Sequence, residues 1–179
     1  MSTGSSRPPA VSEVAALDPE RIVRMLDRHR VAYVLIGALA ARLHGSPRLT
    51  ADVDITPARD PENLERLATA LREMNARVFT EAVPEGLPFD CSAPTLGRAD
   101  LWNLVTDAGR IDIAFIPSGT GGYEDLLPGA VHYEVFGVDL LVAGLADIIR
   151  SKESADRPKD RQDVVLLKEI LDRYGPGPA

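Results

Sequence analysis

Along "DPENLERLATALREM" the apolar residues Leu64, Leu67, Ala68 and Leu71 recur at helical spacing, and Asp60 with Pro61 supplies a cap and a first-turn residue. "LDPERIVRMLDRHR" opens the same way with Asp18 and Pro19, so it too is expected to be a helix. Between these two, "VAYVLI" is a short apolar run that reads as a buried strand. Gly37 then starts a small helix, "ALAARLH", that stops at Gly45. In "RLTADVDIT" the pattern changes to strict alternation: Ala51, Val53 and Ile55 share one face of a strand, Asp52 and Asp54 the other. "RVFT" reads as a further strand. The Pro- and Gly-rich stretch from Glu81 to Arg98 reads as a long loop of the kind that often carries function. "LWNLVTD" and "RIDIAFIP" flank a hairpin signal at Ala108-Gly109, and "HYEVFGVDLLVA" forms a second hairpin turning near Phe136-Gly137. Two helices, roughly Leu145 to Asp156 and Pro158 to Tyr174, close the chain. The order is helix and strand in alternation, then hairpins, then helices: an α+β domain with a mixed sheet. A single domain is expected over 15–174, its two C-terminal helices within about 143–174. Tails flank it at 1–14 and 175–179.

Composition narrows the class. With 45% hydrophobic and 26% charged residues the 179-residue chain is globular, and its formal net charge of −7 argues against a general nucleic-acid coat while leaving room for a local basic patch. One cysteine, Cys91, cannot form an internal disulfide, which fits a reducing compartment. The Ser/Pro/Gly-rich start has no apolar signal region, and no apolar run reaches membrane-spanning length. The expectation is a soluble, cytoplasmic protein.

Two aspartates on one strand face repel each other unless the face is open to water or a cation sits there. Asp112, between Ile111 and Ile113, is a third strand acid. Alone it reads as a hydrogen-bonded or edge carboxylate; beside the strand carrying Asp52 and Asp54 it would bring three carboxylates to one spot. Residues two apart along a strand sit about 6.6 Å apart, within reach of metals spaced about 3.5–4 Å. Such oxygen ligands suit Mg²⁺ or Mn²⁺ completed by substrate phosphates. A calcium loop starting at Asp52 fails: Pro57 stands where the sharp turn needs glycine, and Asn63 where a bidentate glutamate belongs. Zinc fails as well, because one cysteine and the scattered His29, His44 and His132 give no ligand spacing.

The run of strand, glycine, short helix, turn and "DVDI", with a third aspartate on a later strand, resembles the nucleotidyltransferase fold of the DNA polymerase β superfamily. Within it, "VLIGALAARLHGSPRLTADVDI" is similar to the AbiEii and MenT-type toxin nucleotidyltransferases, and "SKESADRPKDRQD" has a counterpart in their C-terminal pattern. The resemblance covers Val31 to Asp163. Ala38 departs from it, standing where many members place Ser or Gly, so a hydroxyl toward the triphosphate is absent; backbone N–H groups at Gly37 and Ala38 remain to hold phosphate. The resemblance implies that Asp52 and Asp54 hold the metal carrying a nucleoside triphosphate, that Asp112 joins them for the metal that activates an acceptor hydroxyl, and that Arg48 offers its fork to phosphate.

Lys152 continues the stripe of Leu145, Ile148 and Ile149, and Asp160 heads that of Val164, Leu167 and Leu171. A salt bridge between the two helices is one reading, a phosphate- or base-contacting lysine oriented by the aspartate the other, and the resemblance favours the second. Arg21, Arg24 and Arg28 on the first helix, and Arg150, Lys152, Arg157, Lys159 and Arg161 near the end, are ordinary surface charge or a track for a nucleic-acid backbone. MenT-type relatives add pyrimidine nucleotides to the 3′ end of tRNA, which implies a toxin with a cognate antitoxin. In some of them a hydroxyl residue at the place of Thr50 is phosphorylated with a kinase-like antitoxin, so Thr50 is a candidate silencing site. Two other readings stand beside the toxin. One is a small-molecule nucleotidyltransferase of the aminoglycoside or lincosamide type, with Glu81, Glu85 and Asp90 as an acidic pocket; the other is a non-catalytic nucleotide-binding regulator or antitoxin.

Overall fold

Asp18 and Asp60 cap their helices as the following prolines require. Asp18 accepts the Arg21 backbone N–H at 3.0 Å and starts α1, Pro19–Arg28; Asp60 accepts that of Asn63 at 2.9 Å and starts α3, Pro61–Glu73. The computed structural model describes residues 14–175, so the expected tails lie outside the described residues apart from Val14 and Gly175. The apolar run gives β1, Tyr33–Ile36, and Gly37 opens α2, Gly37–Leu43. The alternating run gives β2, Asp52–Pro57, with Val53 and Ile55 fully buried and Asp52 and Asp54 half-buried.

The strand expected at "RVFT" shortens to β3, Arg77–Val78, because the Thr80 hydroxyl accepts the Val83 N–H at 3.0 Å and turns the chain. The expected long loop is interrupted by α4, Ala93–Leu96, capped by Ser92. In the first hairpin, β4 (Leu101–Thr106) and β5 (Gly109–Ala114) pair down to Thr106 opposite Gly109, so the turn is Asp107-Ala108, one residue earlier than expected. Tyr123–Leu126 forms α5, followed by a 3-10 turn at Leu127–Gly129. The second hairpin, β6 (Val131–Val135) and β7 (Val138–Val142), turns at Phe136 and Gly137, both with positive φ, as a two-residue turn matched to strand twist requires. Helices α6, Leu145–Ala155, and α7, Pro158–Tyr174, pack against each other.

The seven strands form one mixed sheet in the order β3-β4-β5-β2-β1-β7-β6. Among the described residues, only β2 with β5 and β1 with β7 run parallel. Two polar ties hold the frame around the centre. Asn63, fully buried, donates to the carbonyls of Ala32 and Ala58 and accepts the Ala32 N–H, fastening the start of α3 to the strand ends. His44, whose burial lowers its pKa, donates Nε2–H to the Ala143 carbonyl at 2.8 Å and accepts the Tyr133 hydroxyl at Nδ1 at 3.1 Å. That neutral imidazole pins the end of α2 to the junction between β7 and α6.

Candidate active site

Parallel pairing of β2 with β5 sets Asp54 directly opposite Asp112 and Asp52 opposite Arg110. Since alternate residues share a face, the three acids converge, and one carboxylate oxygen from each lies within 4.8 Å of the others. Gly37 makes the approach possible. It sits at φ +69° beside Asp54, and a Cβ there would collide with the Asp54 carboxylate.

Burial and mutual repulsion tune the acids unequally. Burial, then the charges of Asp52 and Asp112, push the Asp54 carboxyl up to about 7. Asp112 is raised to about 6 by burial, with Arg110 partly opposing. A cluster of hard oxygen donors that resists joint ionisation, on a backbone cleared for it by a glycine, fits a divalent cation such as Mg²⁺ or Mn²⁺.

The acids open into a cleft of about 690 Å³. Arg48, Lys152, Arg157 and Lys159 line it, and none of these comes from the β4–β5 side. Lys152 donates to Asp163 at 2.7 Å and Asp160 at 3.3 Å, and Arg157 donates to Asp160 at 2.6 Å. Asp160 is fully buried; burial raises its pKa, but the bonds from Arg157 and Lys152 outweigh that and leave it below the usual carboxylate range. The salt bridge expected between Lys152 and Asp160 is present and joins α6 to α7, and Lys152 also lines the cleft. Lys159 is exposed, lines the cleft and forms no ion pair among the described residues.

The β4–β5 side of the cleft is apolar: Leu101, Ala114 and Ile116 continue outward from Asp112. Asp100, and Asp147 on α6, also line the cleft, each ion-paired, Asp100 with Arg59 at 2.6 Å and Asp147 with Arg150 at 2.9 Å. Leu49, Leu101 and Ile116 are 87%, 57% and 52% exposed, a concentration of open apolar surface around a single cleft.

Several expected residues fall elsewhere or do something different. Arg48 reaches the cleft, but its Nε lies 2.6 Å from Asp163 and its Nη2 donates to Gln162, so its fork straps the 46–51 loop to α7. Thr50 lines the cleft and bonds locally, donating to the Asp52 carbonyl at 2.7 Å; its hydroxyl is also 3.3 Å from Asp52 Oδ1. The α1 arginines lie outside the cleft and are engaged: Arg24 with Glu20, Arg28 with Glu73, Arg21 with the Asp107 carbonyl. Arg150 and Arg161 are paired too, with Asp125 and Asp147 and with Asp156. Glu81, Glu85 and Asp90 are exposed and do not line the cleft, and Asp90 accepts bonds from Ser92 and Thr95. The acids that line the cleft beyond the cluster are Asp100, Asp147 and Asp163, and each is held in an ion pair. Asp163 and Arg110 were not singled out by sequence, although Asp163 lies three residues after Asp160 on α7 and Arg110 two before Asp112 on β5; Lys159 was read only as part of the C-terminal basic cluster.

No protein-family model matches the chain, and no curated protein matches its sequence. The likeness is to solved structures. Lincosamide antibiotic adenylyltransferase LnuA with lincomycin bound superposes at a TM-score of 0.56 with 17% identity, covering 87% of this chain and 99% of that one. The antibiotic-resistance factor ANT(2'')-Ia superposes at 0.51 with 15% identity, covering 87% of this chain and 85% of that one. At this identity the shared property is the fold, a nucleotidyltransferase fold of the polymerase β-like kind.

Proposed function

We propose that this chain is a metal-dependent nucleotidyltransferase that moves a nucleoside monophosphate from a nucleoside triphosphate to an acceptor hydroxyl, releasing pyrophosphate. The observation that carries the reading is the convergence of Asp52, Asp54 and Asp112 at the foot of a cleft whose facing side carries Lys152, Arg157 and Lys159. Asp52, Asp54 and Asp112 would hold Mg²⁺ or Mn²⁺, which supplies Lewis-acid polarisation of the phosphate and of the attacking hydroxyl. Lys159, and Lys152 steadied by Asp160 and Asp163, balance the phosphate charges, while Gly37 and Ala38 offer backbone at the β1–α2 turn. The acceptor enters from the Asp112 side and attacks in line with the departing pyrophosphate.

Two acceptors fit this chemistry. The sequence resemblance points to the 3′ end of tRNA, with the chain as the toxin of a toxin–antitoxin pair, blocking translation. The second reading, a small hydroxylated molecule, draws on the wall itself. Leu101, Ala114 and Ile116 suit a compact, partly apolar acceptor better than a polyanion.

Incubation of the protein with each labelled nucleoside triphosphate, Mg²⁺, and either total tRNA or a panel of hydroxylated antibiotics tests both. Labelled tRNA establishes the first acceptor, a labelled small product the second, and no label on either removes the proposal. Mg²⁺ and the preferred nucleotide are expected to raise the melting temperature together by several degrees and separately by little, since Mg²⁺ favours a site completed by phosphates. A large shift with Ca²⁺ alone would contradict the site.

On the toxin reading Thr50 is the regulatory residue. A phosphate there would add about −1.5 to −2 charge beside Asp52, attracting the cation away from the cluster and repelling the triphosphate. Co-expression with a cognate kinase-like antitoxin is expected to leave phosphate on Thr50 and to abolish transfer. Silencing that persists in an active Thr50→Val variant would refute the role.

A further inference from the structure

We propose that Arg110 is a built-in counter-ion for the acid cluster, competing with a divalent cation for Asp52 and Asp112 and so setting how tightly the site takes up metal. This rests on the metal-site reading above and is independent of which acceptor is used.

Alternation along β5 puts Arg110 on the same face as Asp112, and the parallel register puts it opposite Asp52. Its Nη2 lies 3.4 Å from both carboxylate oxygens of Asp112 and 3.9 Å from Asp52 Oδ2. These are loose contacts, close enough for charge to be felt and too long for a strong bond. The guanidinium is held by something else. It lies over the Phe79 ring, its Cζ 4.1 Å from the centroid, and its Nε is buried without a partner. Arg110 therefore stands beside the cluster on an aromatic rest and does not close down between the acids.

A guanidinium keeps its charge throughout the working pH range. In the metal-free protein it offsets part of the repulsion among Asp52, Asp54 and Asp112. Toward an incoming divalent ion the same charge is repulsive, at a range where an interior dielectric screens poorly. The arrangement favours a protein that is stable without metal, takes up the bare ion weakly, and gains affinity when nucleotide phosphates arrive with it.

The test compares the wild type with Arg110→Gln and Phe79→Leu, reading two quantities: Mn²⁺ affinity, from the electron paramagnetic resonance signal of free Mn²⁺, and the melting temperature of the metal-free protein. Arg110→Gln is expected to tighten Mn²⁺ about tenfold while lowering the metal-free melting temperature, with Mn²⁺ restoring more of it than in the wild type. Phe79→Leu keeps the charge but removes its rest, so the guanidinium closes on the acids and Mn²⁺ affinity falls several-fold. A folded Arg110→Gln variant that melts earlier yet binds Mn²⁺ no more tightly would show an arginine with a structural role only. If Arg110→Gln does not fold, unchanged Mn²⁺ affinity in Phe79→Leu overturns the proposal by itself. A wild type that binds no Mn²⁺ removes the metal site and this inference with it, whereas a wild type that binds while Arg110→Gln gains nothing removes the inference alone.

Discussion

Asp54→Asn is expected to abolish nucleotidyl transfer while making the metal-free protein harder to melt. Losing an outer partner of a metal ligand costs about 10–100-fold, so losing a ligand itself is expected to exceed about a hundredfold. The stability gain follows from the electrostatics. The Asp54 carboxyl sits at about 7 in the folded protein against an ordinary value near 3.8, through burial and the neighbouring charges of Asp52 and Asp112. Because the folded value is raised, ionisation opposes folding. The penalty is absent below about pH 4 and grows as pH rises, complete only above about pH 7. The amide has no such term, so at about pH 8 it is expected to raise the metal-free melting temperature by several degrees and to flatten its fall between about pH 4 and 7. Turnover and melting measured on the same sample decide it. Near-wild-type turnover would discard the metal-site reading, and a lower melting temperature would recast Asp54 as structural.

The second large effect has the opposite sign for stability. Asp160→Ala is expected to cost about 1–3 kcal/mol, because it removes a fully buried carboxylate that accepts from Arg157 and Lys152, while the exposed Arg157 turns to water and Lys152 keeps Asp163. For a chain of this size that is on the order of 2–12 °C in melting temperature. Transfer is expected to fall as well, since Lys152 would retain only Asp163 to orient it. The folded carboxyl lies below its ordinary value, so its contribution is present above the carboxylate range and lost as pH falls through it. Wild type should therefore lose stability on acidification more steeply than the variant, and parallel acid-melting curves would refute this account. Asp160→Asn tests packing apart from charge, because it keeps the volume.

Much of the site could be read from the sequence because its signals are local. The alternation in Asp52 to Ile55, the glycine before α2 and the Asp-Pro caps each act within a few residues, and the structure keeps them. Asp112 was legible only through its strand and the resemblance, since its pairing with Asp54 is a long-range event. What escaped were partners chosen in three dimensions. Arg48 looked free to bind phosphate because nothing in the sequence brings Asp163 and Gln162 next to it. Asp163 lies three residues after Asp160 on α7, an interval that places both toward Lys152, and Arg110 lies two before Asp112. Those two intervals were available as signals. The acids of the Glu81–Arg98 stretch were misplaced for the complementary reason: α4 and the Thr80 turn fold that stretch by local bonds, and its acids stay outside the cleft.

The pairing of Asp54 with Asp112 also has a consequence for how the chain acquires its structure. Between the two strands come α3, β3, α4 and β4, and parallel neighbours cannot be joined by a tight turn. The cluster cannot exist in any short fragment or early local intermediate. It comes into being when the centre of the sheet closes, a step slowed by the entropy of bringing distant segments together. A divalent ion should therefore leave the refolding rate almost unchanged and slow unfolding, because the contacts it stabilises are among the last to form. In a stopped-flow experiment the uptake of Mn²⁺ would then serve as a clock for the completion of the β2–β5 pair.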